Sequence, residues 1–508
     1  MLTTSYSASL HGIDGYIVTV ECNASPLLPG FDIVGLPDAA VREAKQRVRA
    51  AVENSGFLFP ESTIVVNLAP ADVKKEGSAF DLAILIAILQ SAGTVPRDCD
   101  LTKRCFIGEL SFSGALRRIP GVLPMVIAAK EAGYEEVFVP AGCGPEASAV
   151  EGIRIYAVRD AGQVVRHLQG AEPLSPYAGG GYDLSDLAAI DCNYSDVKGQ
   201  ERAKRALEIA AAGGHNVLMI GPPGSGKSML AKRFYTILPP MDINEAITTT
   251  KIHSVSGILP ENVSLVCQRP FRSPHHTMSA PSLVGGGTRP MPGEVSIAHN
   301  GVLFLDELPE FPKNVIEGLR QPMEDGKVTI TRAAGRLTFP SRFLLLCAMN
   351  PCKCGYFGSK VRECTCRRED IQKYLTKISG PLLDRIDIQI EVPALEFDAL
   401  SAPAPGERSE TIRERVIATR AYTKERCRGA LSCNAHMTAE QVQRFCTPDS
   451  TGSAILKTAF EKMGMSARGY DRILKVARTI ADMEQSEEIR AAQIAEAVHL
   501  RSLDRKYW

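Results

Sequence analysis

Val217-Leu-Met-Ile220, followed by Gly221-Pro222-Pro223-Gly224-Ser225-Gly226-Lys227-Ser228, decides the reading of this chain. A short apolar strand runs into a glycine-rich turn, and Met229–Tyr235 opens a helix behind it. The spacing is G-x-x-x-x-G-K-[ST], in the strand–loop–helix setting that gives the pattern its meaning. Glycines let backbone N–H groups cradle phosphate oxygens, and the helix N-terminus adds partial positive charge. In that arrangement Lys227 neutralises the β- and γ-phosphates, and Ser228 offers its hydroxyl to Mg²⁺. ATP with Mg²⁺ is the expected cofactor pair.

From about residue 191 outward, strands and helices alternate. Val302–Leu305 and Phe343–Ala348 are continuous apolar runs like Val217–Ile220. Such runs suit central strands of a parallel sheet covered on both faces. The first ends in Asp306-Glu307. A carboxylate at a strand's C-terminal edge can meet Mg²⁺ held by the phosphate loop, a role assigned to Asp306. Glu307 can polarise the attacking water. The plainer alternative is a helix start that favours acids. Asn350 ends the second run, where an amide could hold water or the γ-phosphate, although Asn before Pro351 is also a common turn starter. Gly380-Pro-Leu-Leu-Asp384-Arg385-Ile-Asp387 sets an arginine between two acids. It reads either as a surface ion pair or as an arginine finger acting on a neighbouring subunit's nucleotide. Arg468, in Ser466-Ala-Arg468, starts a helix from which it could reach the γ-phosphate.

The whole chain has 508 residues, room for about three domains. Residues 1–170 mix strands (Tyr16–Glu21, Ile64–Asn67) with helices (Asp38–Val52, Ser78–Leu89), an α+β domain. Residues 171–190 hold Pro, Gly and Ser without periodicity and read as a linker. The α/β ATPase domain is assigned to 191–395, a parallel sheet with helices on both faces. After a Pro- and Ala-rich connector, 394–410, the tail within 396–508 is helical: Ile412–Lys424, Ala439–Cys446, Ser453–Met463, Gly469–Met483 and Ala491–Leu500. Formal net charge is zero, so no global field advertises nucleic acid, and DNA contacts must come from local clusters. No run approaches the roughly 18 apolar residues that span a bilayer, and Met1–Gly12 lacks the basic start of a signal peptide. A cytoplasmic protein with no membrane partner is expected.

Two further segments carry chemistry. Cys352-Lys-Cys354 and Cys364-Thr-Cys366 bring four of the 14 cysteines into one short loop. Four soft thiolates suit a tetrahedral, structural Zn²⁺, although Cys-x-Cys is a less common spacing than Cys-x-x-Cys; free thiols are the alternative. Lys353, Lys360, Arg362, Arg367, Arg368 and Lys373 make this loop locally basic. Residues 272–296 form a glycine-rich excursion. Residues 326–342 read as a β-hairpin: Val328–Thr331, a turn at Ala333-Ala-Gly335, then Arg336–Phe339. Lys327, Arg332 and Arg336 there could follow DNA phosphates, or could simply be solvated charges. His275 and His276 are adjacent on a segment read as extended, so they are expected to face opposite ways.

Together these motifs resemble the magnesium-chelatase-like AAA+ ATPases of the YifB/ComM type. Phe31-Asp-Ile-Val-Gly-Leu-Pro-Asp38, Asp196-Val-Lys-Gly-Gln200, Arg269-Pro-Phe-Arg-Ser-Pro-His-His276, Gly285–Gly287 and Met349-Asn-Pro-Cys352 carry the likeness with the segments above. The resemblance implies a homo-oligomer, a hexameric ring with nucleotide between subunits. It gives Asn350 the first sensor role, Arg385 the finger, Arg468 the second sensor, and Val197 and Gly199 the adenine pocket. It also implies helicase-driven branch migration of single-stranded or branched DNA during natural transformation. The N-terminal domain resembles the Lon-protease fold. Ser78 lies near that family's serine motif, but Leu123 stands where the lysine would be, and a serine without a base is a poor nucleophile. A non-proteolytic domain is expected. The competing functions are a chelatase-like or chaperone ATPase that remodels a protein partner, and ATP-dependent proteolysis, which Leu123 argues against.

Overall fold

Three apolar runs, Val217–Ile220, Val302–Leu305 and Leu344–Met349, are buried along their whole length. Strands hidden on both faces need a sheet covered by helices on each side. The computed structural model describes residues 2–26, 28–181, 192–287, 290–332, 335–359, 362–394 and 406–503. In it a five-stranded sheet runs Phe271–Arg272, Val302–Leu305, Leu344–Met349, Val217–Ile220, Ile388–Glu391. Every neighbouring pair is parallel. Loops leaving the C-terminal ends of parallel strands therefore share one edge. Gly221, Asp306 and Asn350 each follow such an end, and the Asn350 strand lies between the other two.

The C-terminal helices share this sheet's core. They run Ser409–Arg426, Ala439–Phe445, Ser450–Met463, Ala467–Met483 and Ala491–His499. Their Ile412, Val416, Ile473, Ile480 and Ile494 pack in one apolar cluster with Leu207, Phe234 and the strand residues Val217 and Leu346. Side-chain caps define their starts: Thr438, Asp449 and Ser466 each accept a backbone N–H of the first turn. Residues 184–241 and 268–508 thus make one compact unit.

The other unit comprises Met1–Asp183 with Asp242–Cys267. Its four-stranded sheet has the order Leu2–His11, Asp14–Ser25, Thr63–Ala69, Gly30–Val34, with only the last pair parallel. Three parallel strands, Arg104–Phe106, Glu136–Pro140 and Arg154–Val158, form a second sheet. Helix Ala39–Asn54 starts on Asp38, whose carboxylate accepts from Val41 N at 2.8 Å. Helix Asp81–Ser91 is buried on every face. It begins later than the expected Ser78, because Asp81 N bonds Ser78 O in a turn that takes up the first residues. Helix Ile243–Val255 comes from the middle of the chain yet is stitched here. Gly121 N bonds Ser254 O at 3.2 Å, and Lys251 pairs with Asp14 at 3.0 Å.

Parts of the linker (182–191) and of the second connector (395–405), Lys360, and the hairpin turn residues Ala333-Ala334 lie outside the described residues. No described helix is long and apolar enough to cross a membrane.

Candidate functional site

The phosphate loop owes its shape to its glycines. Gly224 and Gly226 have φ of +74° and +92°, the left-handed region that aims successive N–H groups into one concavity. Gly221 has no room for a side chain: a Cβ there would overlap the Val392 carbonyl, just where Val392 N bonds Ile220 O at 2.8 Å. Helix Lys227–Phe234 follows directly.

Five of the expected residues meet at the sheet edge. Lys227 Nζ donates to Gly221 O (2.8 Å), Pro222 O (2.9 Å) and Asn350 Oδ1 (3.2 Å). Burial lowers its pKa to about 8, against the opposing pull of Asp306 and Glu307. Ser228 Oγ donates to Asp306 Oδ2 at 2.6 Å. Glu307 N donates to Asp306 Oδ1 at 2.9 Å. Glu307 itself has φ +53°, rare for a residue with a Cβ, and such strain concentrates at functional sites.

His276 completes this edge in a way the sequence did not indicate. Its Nδ1 lies 3.6 Å from Glu307 Oε2. The His275 and His276 rings sit with centroids 4.2 Å apart, not on opposite faces as expected. Alternation fails because the segment turns: Met278 N bonds His275 O, and His275 Nδ1 pairs with the Thr277 hydroxyl at 2.9 Å.

Val197 is buried, and the next residues turn sharply, Gly199 and Gln200 both with φ +59°. Gln200 Nε2 donates to Ser225 O (3.1 Å) and to Pro393 O (2.7 Å), tying this turn to the phosphate loop. Sequence reasoning gave Gln200 no such part.

The three charged residues around Arg385 take separate partners. Arg385 is 4% exposed, pairs with Glu324, and donates to Pro381 O at 2.6 Å. The guanidinium is buried, whereas the Glu324 side chain is half exposed. Its Nε is buried without a partner among the described residues. Asp384 Oδ1 accepts from the Ser466 cap at 3.3 Å. Asp387 is buried against Arg472, with His215 at 3.7 Å and the Asn216 amide at 2.9 Å. Burial alone would raise its pKa, but Arg472, His215 and that amide hold it far below the usual carboxylate range. Arg468 is exposed, one turn before Arg472, and its side chain makes no hydrogen bond or ion pair among the described residues.

Asn216 is a third residue whose part the sequence did not indicate. Its Oδ1 accepts from Leu345 N (2.9 Å), its Nδ2 donates to Arg385 O (3.2 Å), and its carbonyl accepts from Asp387 N and Ile388 N. The available signal was a polar His215-Asn216 pair immediately before a buried strand.

The four thiols converge. Cys352, Cys354, Cys364 and Cys366 place all their sulfurs within 4.8 Å of one another. Cys352 lies 3.3 Å from Cys354 and 3.7 Å from Cys364, and the last two are 3.5 Å apart. Burial is the largest single influence on Cys354 and opposes its ionisation, but the amides of Tyr356 and Thr365 and the thiols of Cys352 and Cys364 together outweigh it and bring its pKa down to about 6.

The hairpin forms from Lys327–Arg332 and Gly335–Pro340, with Thr331 opposite Arg336. Val328, Ile330 and Phe339 are buried on one face. Lys327, Thr331, Arg336 and Thr338 are exposed on the other. The Arg332 side chain lies outside the described residues. In the first unit Ser78 Oγ donates to Glu109, and Leu123 is buried with its N–H on Glu146 Oε1 at 2.7 Å.

The model of the magnesium chelatase ChlI subunit matches residues 193–400, that of subunit ChlI of Mg-chelatase 20–142, and that of its C-terminal part 406–501. Competence protein ComM of Haemophilus influenzae is 42% identical over 99% of this chain and 98% of its own length. The chain belongs to the ComM/YifB family of magnesium-chelatase-like AAA+ ATPases. The uncharacterized protein YifB of Escherichia coli K12 is 40% identical, again over 99% of this chain and 98% of its own. An archaeal Lon protease from Halobacterium salinarum is 38% identical, but only over 13% of this chain and 9% of its own length. The family's P-loop ATPase character agrees with the edge at which Lys227, Ser228, Asp306, Glu307 and Asn350 meet.

Proposed function

We propose that this protein is a ring-forming motor that hydrolyses ATP and uses the energy to move DNA, as a helicase that promotes branch migration. The observation that carries the ATP part is the contact set at the sheet edge. Lys227 is held by loop carbonyls beside the cradle, ready to exchange them for phosphate oxygens. Ser228 and Asp306 already touch through the two oxygens that would hold Mg²⁺, which when bound supplies charge neutralisation for the phosphates. Glu307 accepts the proton of the attacking water, and Asn350 orients that water or the γ-phosphate. Val197 and Gly199 line the adenine side. Arg385 and Arg468 are read as the finger and the second sensor of a hexameric ring; the finger role requires Arg385 to leave Glu324.

Three things support DNA as partner: similarity to a competence protein, the hairpin face carrying Lys327 and Arg336, and the basic cysteine loop. Four thiolates suit Zn²⁺ well. Zinc–sulfur bonds of about 2.3 Å give tetrahedral S···S edges of about 3.8 Å, close to the spacings here. The N-terminal unit is read as non-proteolytic, since Leu123 offers Ser78 no base. The chelatase family models favour a second reading, ATP-driven remodelling of a protein partner. ATP turnover measured with single-stranded, duplex and branched DNA separates the two. Stimulation by DNA is expected; indifference to all three would favour the protein-partner reading.

A further inference from the structure

The cysteine loop touches the phosphate loop at two points. Asn350 Oδ1 accepts from Lys227 Nζ at 3.2 Å, and fully buried Cys352 follows two residues later. Gly355, between Cys354 and Cys364, packs on the Pro223 ring. A Cβ there would overlap Pro223 Cδ and lie 2.7 Å from its Cγ. With φ +85°, Gly355 also holds a backbone shape that favours glycine. Pro223 belongs to the loop whose carbonyls hold Lys227.

Between Asn350 and the helix Arg368–Leu375 no helix or strand occurs among the described residues. Such a segment has little of its own to fix its shape, and closing it costs chain entropy. A metal bound by four side chains offsets that cost and fixes the loop, since metal-binding energy becomes folding energy.

We propose that the four-thiolate knuckle acts as a strut for the phosphate loop. Metal occupancy presses Gly355 onto Pro223 and keeps Asn350 beside Lys227, so nucleotide affinity depends on Zn²⁺ although no thiol touches nucleotide. Gly355 and Pro223 are positioning residues in this scheme. The inference rests on reading the four thiols as a zinc site, and its test reports on the two separately.

The full chain is compared as isolated, after removal of zinc by a chelator that is then exchanged away, after zinc is restored, and as Gly355→Ala. Zinc per chain, helical content by circular dichroism, and Kd for a fluorescent ADP analogue are measured on each. One zinc per chain is expected in the isolated protein. Stripping and Gly355→Ala should each raise Kd about tenfold, the lower range for overpacking or loosening a tight contact. Restored zinc should recover the stripped protein, while Gly355→Ala should keep its zinc and stay weak. If Gly355→Ala fails to fold, the stripping and restoring arms alone decide. Full zinc with a Kd that ignores stripping would overturn the strut and leave the zinc site standing. No zinc in the isolated chain would overturn both.

Discussion

Raising the pH from 7 to 9 should weaken nucleotide binding about tenfold through one group, Lys227. Its ammonium is buried in the phosphate loop, and burial brings its pKa to about 8. About nine-tenths of chains would carry the proton at pH 7, half at pH 8 and about one-tenth at pH 9. Nucleotide phosphates stabilise the protonated form, so binding raises this pKa and draws a proton whenever the free lysine has lost it. Affinity is therefore full below pH 7 and falls as pH rises through 8, which is linkage applied to binding. Above pH 8 nucleotide phosphates are already ionised, so they do not mask the effect. Calorimetric titration of ADP in two buffers of different ionisation enthalpy reads the proton directly. Uptake of about 0.1 proton at pH 7, 0.5 at pH 8 and 0.9 at pH 9 follows from the fractions above. Uptake near zero at pH 8 and 9, with a flat Kd, would refute the reasoning, because Lys227 would then be protonated throughout.

Other consequences are as specific. Glu307→Gln should keep nucleotide affinity but lower turnover by about 10²–10⁴, since it removes the group that accepts the water's proton; binding and single-turnover assays read the two apart. Asp387→Ala leaves Arg472 and the Asn216 amide without their buried partner, and should cost about 3–5 kcal/mol, seen as a lower melting temperature. Replacing Lys327 and Arg336 together by Ala should reduce the slope of log affinity for single-stranded DNA against log salt by about 1.4, with basal ATP turnover unchanged.

Much of the nucleotide site was legible in the sequence because its geometry is local. A strand, a glycine turn and a lysine within twelve residues specify the phosphate loop, and apolar runs ending in Asp306-Glu307 and Asn350 specify the sheet edge. What was not legible depends on long-range packing. Asp242–Cys267 lies within the stretch 191–395 assigned to the ATPase domain, and nothing local tells that its Ser254 and Lys251 bond Gly121 and Asp14. Adjacent histidines read as alternating strand residues, yet a turn sets their rings 4.2 Å apart and leaves His276 beside Glu307. Arg385 sits between Asp384 and Asp387 in sequence, yet its partner is Glu324, some sixty residues earlier. Asn216 draws its importance from three strands that meet only after folding.

The central claim is that ATP turnover at Lys227 is coupled to work on DNA. Branch migration of a labelled three- or four-stranded DNA junction, by the intact chain and by Lys227→Ala, tests it most directly. The account predicts ATP-dependent migration by the first and none by the second, with both binding the junction. Equal migration by the two, or none by either under conditions where the wild type hydrolyses ATP, would contradict it.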